Sequence, residues 1–95
     1  MDCAEIRFSG HAVTRLYDRG LSKDDVLQAL KHGELIADYP DDKPYPSRLM
    51  LGYSEFKPIH VVVAKNPENS VCFIVTAYQP DPAIWSADFK NRRKS

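Results

Sequence analysis

Cysteine is scarce in this chain: Cys3 and Cys72 are the only two among 95 residues, and no Cys-x-x-Cys spacing occurs. Neither a cysteine-built zinc site nor a disulfide framework is therefore suggested. Cys72, inside an apolar run, is expected to be a small core residue. Histidine is also sparse. His11, His32 and His60 are scattered, with no carboxylate or cysteine at ligand spacing, so neither a metal nor another cofactor is expected. Charge of one sign is missing as well. Thirteen Lys and Arg balance thirteen Asp and Glu, for a net charge of +0 and a pI near 6.8. Nucleic-acid binding through bulk charge is excluded, while a local basic pocket is not. No apolar run approaches membrane-spanning length, and Met1-Asp2-Cys3-Ala4-Glu5 has no basic stretch leading into an apolar one. The expectation is a cytoplasmic protein with no membrane partner. There are no repeats and no low-complexity segments.

What is present suffices for one core. Hydrophobic residues make up 43% of the chain, and 95 residues suit a single domain over 1–95, with 91–95 as a disordered tail. Residues 34–43 are acidic in excess and the last eight are basic, both as solubilising surface.

The helices come first. Ser9 is the expected N-cap of a helix over about 10–19, closed by Gly20. Its apolar side is Val13, Leu16 and Tyr17, and His11, Arg15 and Arg19 fall on one face at four-residue spacing. That face by itself also describes a solvated basic surface. Ser22-Lys23-Asp24-Asp25 has capping-box form and starts a second helix with Val26, Leu27 and Leu30 inward. It ends at Lys31-His32-Gly33, where His32 is a cation near a helix C-terminus.

After Gly33 the apolar period changes. Residues 34–39, 48–53, 59–65 and 71–78 read as four strands, with the proline-rich 40–46 as a loop. Asp81-Pro82 has the form of a short C-terminal helix carrying Ile84, Trp85 and Phe89, with Trp85 pinning the tail. If Lys65 pairs with Val71, His60 lies opposite Thr76, and Tyr78 becomes a diagonal neighbour about 7–8 Å away. A hairpin centred near Phe56 places Gly52 beside His60. The odd positions Leu49, Leu51, Tyr53, Val61, Val63, Val71, Phe73, Val75 and Ala77 then face the main core. The even set (Arg48, Met50, Gly52, His60, Val62, Ala64, Cys72, Ile74, Thr76, Tyr78) forms a second face. Gly52, His60, Thr76 and Tyr78 meet there around a pocket that the glycine opens. The simpler alternative is that His60 and Tyr78 satisfy each other at a sheet edge.

The pattern Phe8-Ser9-Gly10-His11-Ala12, Arg15, Arg19-Gly20-Leu21-Ser22, Tyr39-Pro40, His60-Val61-Val62-Val63 and Tyr78-Gln79-Pro80-Asp81-Pro82 with Trp85 resembles a family of small prokaryotic proteins of unknown function. That family is grouped with the RelE-like toxins and with ribonucleases of the barnase/EndoU/colicin type. The resemblance implies a RelE-like α+β fold: two N-terminal helices packed on a four-stranded, mainly antiparallel sheet, with a short C-terminal helix.

It also implies a toxin-like, metal-independent endoribonuclease of a toxin–antitoxin system. In such an enzyme a base takes the proton of a ribose 2′-OH, that oxygen attacks the adjacent phosphate, and cations stabilise the developing charge. His11 and His60 would be the acid and base, Arg15 the phosphate clamp, and Tyr78 a stacking or hydrogen-bonding group. Arg19 and Arg48 would be weaker substrate-binding candidates, and Gly52 and Thr76, placed beside His60 by strand register and not by the resemblance, would line the substrate pocket. The partners would be RNA and a cognate antitoxin. The alternative function is a non-catalytic module of the same fold that binds RNA, a nucleotide or a protein. A protein partner could pair with the edge 34–39, although its acidic residues and Pro40 suit edge protection.

Overall fold

The computed structural model of the protein describes residues 2–93. Its elements are β1 (Glu5–Phe8), α1 (Gly10–Asp18), α2 (Lys23–Lys31), β2 (Glu34–Tyr39), β3 (Ser47–Ser54), β4 (Lys57–Lys65) and β5 (Val71–Tyr78). The five strands form one mixed sheet in the order β1-β5-β4-β3-β2. β1 runs parallel to β5, and the other pairs are antiparallel.

The local signals at the helix ends act as their chemistry dictates. The Ser9 hydroxyl accepts from the Ala12 amide at 3.0 Å, and Gly20 takes φ +70 where the chain leaves α1. Ser22 and Asp25 exchange side-chain-to-backbone hydrogen bonds at 3.1 and 3.0 Å, a complete capping box. Asp25 also accepts from the Ser54 hydroxyl at 2.7 Å, which ties the start of α2 to the β3–β4 turn.

Three expectations are corrected. The sheet has five strands and is mixed, because Glu5–Phe8 adds a parallel edge strand. Four residues with only alternate half-burial carry little periodic signal, and parallel pairing leaves no hairpin signature in sequence. The C-terminal helix is absent. Asp81 starts a single turn, its carbonyl accepting from Ile84 and Trp85, but the chain then doubles back. Trp85 bridges Arg92, and Ser86 N donates to Asn91 O at 2.7 Å. Residues 91–93 thus run back beside Ile84–Ser86 as part of a strap over the sheet, and the rest of the expected tail, 94–95, lies outside the described residues. Finally, Cys3 and Cys72 are joined in a disulfide with Cα atoms 5.6 Å apart. They stand 69 positions apart in sequence, and only the β1–β5 pairing, with Glu5 opposite Val71, brings them together.

Strand register also differs from expectation. β3 and β4 close through a two-residue turn with Ser54 opposite Lys57 and Glu55 at φ +57. That moves every β3 partner by one, so Leu51, not Gly52, faces His60. Between β4 and β5, His60 faces Tyr78 and Val62 faces Thr76, and a bulge at Val75 shifts the ladder before Val63 meets Ile74. The helix-side core consequently combines Leu16, Leu21, Val26 and Ala29 with Met50, Ile59, Val61, Val63, Cys72, Ile74 and Ala77. The odd-numbered set expected on one face is split between both.

The other face is covered by irregular chain. Tyr45 of the proline loop stacks on Phe73 at 5.6 Å. At the opposite end Trp85 packs on His60. Among the described residues no helix is long and apolar enough to cross a membrane.

Candidate functional site

α1 lays a line of basic side chains beside a stretch of β5 that has no outer strand. β1 stops at Phe8, opposite Ile74, so Val75–Tyr78 is an open edge. Arg19, the C-cap of α1, fills part of it. One guanidinium nitrogen donates to Thr76 Oγ1 and to the Ala77 carbonyl, each at 2.8 Å. Arg15 and His11 follow on the same helical face at steps of about 6 Å. Both are exposed, and neither side chain has a hydrogen-bond or ion-pair partner among the described residues.

Tyr78 is half-buried next to this edge, and behind it lies His60, with no exposed surface. His60 Nδ1 and Tyr78 Oη are 3.3 Å apart, and Nε2 is 2.8 Å from the Phe89 carbonyl oxygen. A carbonyl only accepts, so Nε2 carries the proton and donates. Nδ1 then accepts from the Tyr78 hydroxyl. Trp85 seals the ring from the strap side, nearly perpendicular to it at 4.4 Å between centroids. Arg92 lies over Trp85, with Cζ 5.6 Å from the ring centroid. The strap presents the Phe89 carbonyl through a left-handed backbone at Phe89, φ +60.

Burial sets the protonation of the pair. It lowers the His60 pKa below the ordinary 6.5, opposed by the Phe89 carbonyl. It raises Tyr78 above 10.0, with the Tyr39 phenol adding to the shift and the charges of Arg92 and Arg19 opposing it. Both groups are therefore neutral near pH 7.

Linkage gives the pH dependence of stability. The unfolded chain binds a proton at His60 more readily than the folded one. This contribution is thus full above pH 6.5 and is lost as pH falls through the folded pKa. Asp25 is lowered from 3.8 to about 2 by the Ser22 amide and then by the Ser54 hydroxyl. Its contribution is present above about pH 4 and lost towards pH 2. Thermal unfolding followed by circular dichroism should show two separate losses of Tm on acidification. Asp25→Asn should remove the lower one and leave the upper.

The sequence-derived site residues divide three ways. His60, Tyr78, Thr76 and Arg19 come together, and Arg15 and His11 extend the same strip. Gly52 does not belong. A Cβ there would stand 1.8 Å from the Ala29 carbonyl oxygen, so the missing side chain admits the α2 backbone on the helix side and opens no pocket at His60. Arg48 does not belong either. It lies three positions along β3 from the residue facing His60, with its side chain on the opposite face. There it pairs with Asp38 at 3.5 Å and lines an open cavity of about 410 Å³ with Pro46 and Lys65. Sequence reasoning missed Phe89 and Arg92, which sit in a tail whose charge pattern reads as solubilising surface. Among the described residues no group of three His, Cys, Asp or Glu side chains is arranged to hold a metal ion.

A family model described as a domain of unknown function, DUF4258, matches residues 8–79. No curated protein matches, and no solved structure matches. The matched region holds α1, α2, β2–β5 and the strip from His11 to Tyr78. Nearly all of β1, Cys3 and the whole strap over His60 lie outside it.

Proposed function

The chain belongs to the DUF4258 domain family, and from that premise we propose that it is a non-catalytic RNA-binding module that holds phosphates on α1. The supporting observation is the contrast within the strip. Arg15 and His11 are exposed and unengaged, while His60 is sealed with both ring nitrogens occupied. An exposed guanidinium offers a fork to phosphate oxygens, and the half-buried phenol of Tyr78, next to the Ala77 carbonyl that Arg19 holds, offers a stacking face to a base. A buried neutral imidazole between two fixed partners has no access to a reacting atom. Overall charge neutrality is compatible with a local patch of this kind, and binding should weaken steeply with salt.

A second reading, in line with the resemblance to RelE-like toxins and barnase/EndoU/colicin-type ribonucleases, is toxin-like metal-independent RNA cleavage, silenced by an antitoxin. One feature favours it: His11 is an exposed imidazole one helical turn from Arg15, so an acid or base stands beside a phosphate clamp without recourse to His60.

Fluorescence anisotropy with labelled single-stranded RNA tests the binding reading. Arg15→Glu should weaken binding by about tenfold at low salt, by reversing the charge at a phosphate contact. Unchanged affinity would refute the placement on α1. Cleavage of the same RNA by the wild type, lost in His11→Ala, would decide for the second reading.

A further inference from the structure

We propose that His60 is a positioning residue that holds the Tyr78 hydroxyl proton inward, so that Tyr78 offers a ligand only an acceptor oxygen, which selects a ribose 2′-hydroxyl beside the phosphates held by α1. This deepens the RNA-binding reading and rests on it.

The argument begins at the Phe89 carbonyl. It cannot donate, so the 2.8 Å contact assigns the proton to His60 Nε2. His60 Nδ1 is then a lone pair, and the 3.3 Å contact is made by the Tyr78 hydroxyl donating to it. Trp85, packed edge-on against the imidazole, holds the ring in its plane. Burial keeps His60 uncharged, so Nδ1 stays an acceptor. Tyr78 has no other hydrogen-bond partner among the described residues, and it is the half-exposed member of the pair. Its oxygen therefore keeps a free lone pair and no free proton.

Phosphate oxygens, which only accept, gain nothing there. They are drawn instead to Arg15 and to the free donors of Arg19 on the same strip. A sugar hydroxyl can donate to Tyr78 while its phosphate stays on the guanidinium groups. DNA has no such donor, so the hydrogen bond is available to RNA alone.

Two measurements on the full chain test this. The first is the ratio of affinities for one single-stranded RNA and the DNA of the same sequence. The wild type should prefer RNA by about three- to tenfold, the worth of one hydrogen bond. Tyr78→Phe should bring that ratio to about one by weakening RNA while leaving DNA unchanged. His60→Phe should lower the ratio too, because it frees the Tyr78 proton without touching the phenol. The second is the ¹⁵N signature of the His60 ring in the free protein, which should be that of the Nε2–H tautomer. This readout keeps the proposal testable if His60→Phe does not fold. An Nδ1–H tautomer, equal RNA and DNA binding by the wild type, or discrimination that survives in Tyr78→Phe would each overturn it. Equal binding that is still weakened by Arg15→Glu would overturn the role of Tyr78 while leaving the RNA reading standing. Absence of binding to either nucleic acid would overturn both.

Discussion

Replacing Gly52 by alanine should cost this protein most of its stability. The added Cβ would lie 1.8 Å from the Ala29 carbonyl oxygen, 2.4 Å from its carbonyl carbon and 2.7 Å from its Cα. These are backbone atoms in the last turn of α2, so no rotamer change relieves the clash. α2 must lift from β3, and Val26, Ala29 and Met50, all in the helix-side core, must separate with it. Overpacking alone costs roughly 1–3 kcal/mol. Forced separation of two packed elements belongs to the exceptional class of about 4 kcal/mol or more, against a total stability of roughly 5–15 kcal/mol. Urea unfolding should show a greatly lowered midpoint, or no folded baseline. Gly10→Ala is the control. It starts α1 with nothing within 4 Å of the new Cβ, and its midpoint should be unchanged or slightly raised. A Gly52→Ala midpoint close to that control would contradict the close approach of α2 to β3.

Trp85→Ala should open the sealed face. Trp85 is 8% exposed and links His60 to Arg92 across the strap. Truncating a buried tryptophan costs about 3–5 kcal/mol where the site does not collapse. Here the loss falls on a short segment that is otherwise held by contacts such as the Lys90–Glu34 ion pair at 3.0 Å, exposed and weak. The expected result is local release. The strap swings away, the Phe89 carbonyl leaves His60 Nε2, and the imidazole becomes reachable. Diethylpyrocarbonate labelling read by mass spectrometry should move His60 from protected to reactive, with exposed His11 and His32 reacting equally in both proteins. A His60 that stays protected in Trp85→Ala would show that the sheet face is closed by something other than this side chain.

The elements that can be read from the chain are those whose signals are local. Ser9 and Gly20 bound α1, and the Ser22–Asp25 capping box starts α2. Alternation and flanking turn residues mark the four antiparallel strands β2–β5. The alignment of His11, Arg15 and Arg19 follows from helical spacing alone. That His60 and Tyr78 are neighbours on one face of the sheet is legible from strand alternation, as a diagonal contact and not as a pair.

What the chain does not reveal depends on contacts between distant residues. The Glu55-Phe56 turn lacks the Gly or Asn that announces a two-residue hairpin. The β3–β4 register therefore differs by one residue from the one a turn centred near Phe56 predicts, and in a period-two strand that sends Gly52 to the opposite face. Lys65 pairs with Cys72 and not with Val71, and the Val75 bulge adds a second residue of shift, so His60 meets Tyr78 rather than Thr76; nothing in the run Val71–Tyr78 marks the bulge. β1 is too short to be read, and its parallel pairing is what joins Cys3 to Cys72. The state of His60 is the clearest case. Its identity and its strand are plain in the sequence. Its burial, its neutral charge and the direction of its proton are set by the carbonyl of Phe89 and the ring of Trp85, which reach it only once the chain beyond β5 has folded back over the sheet.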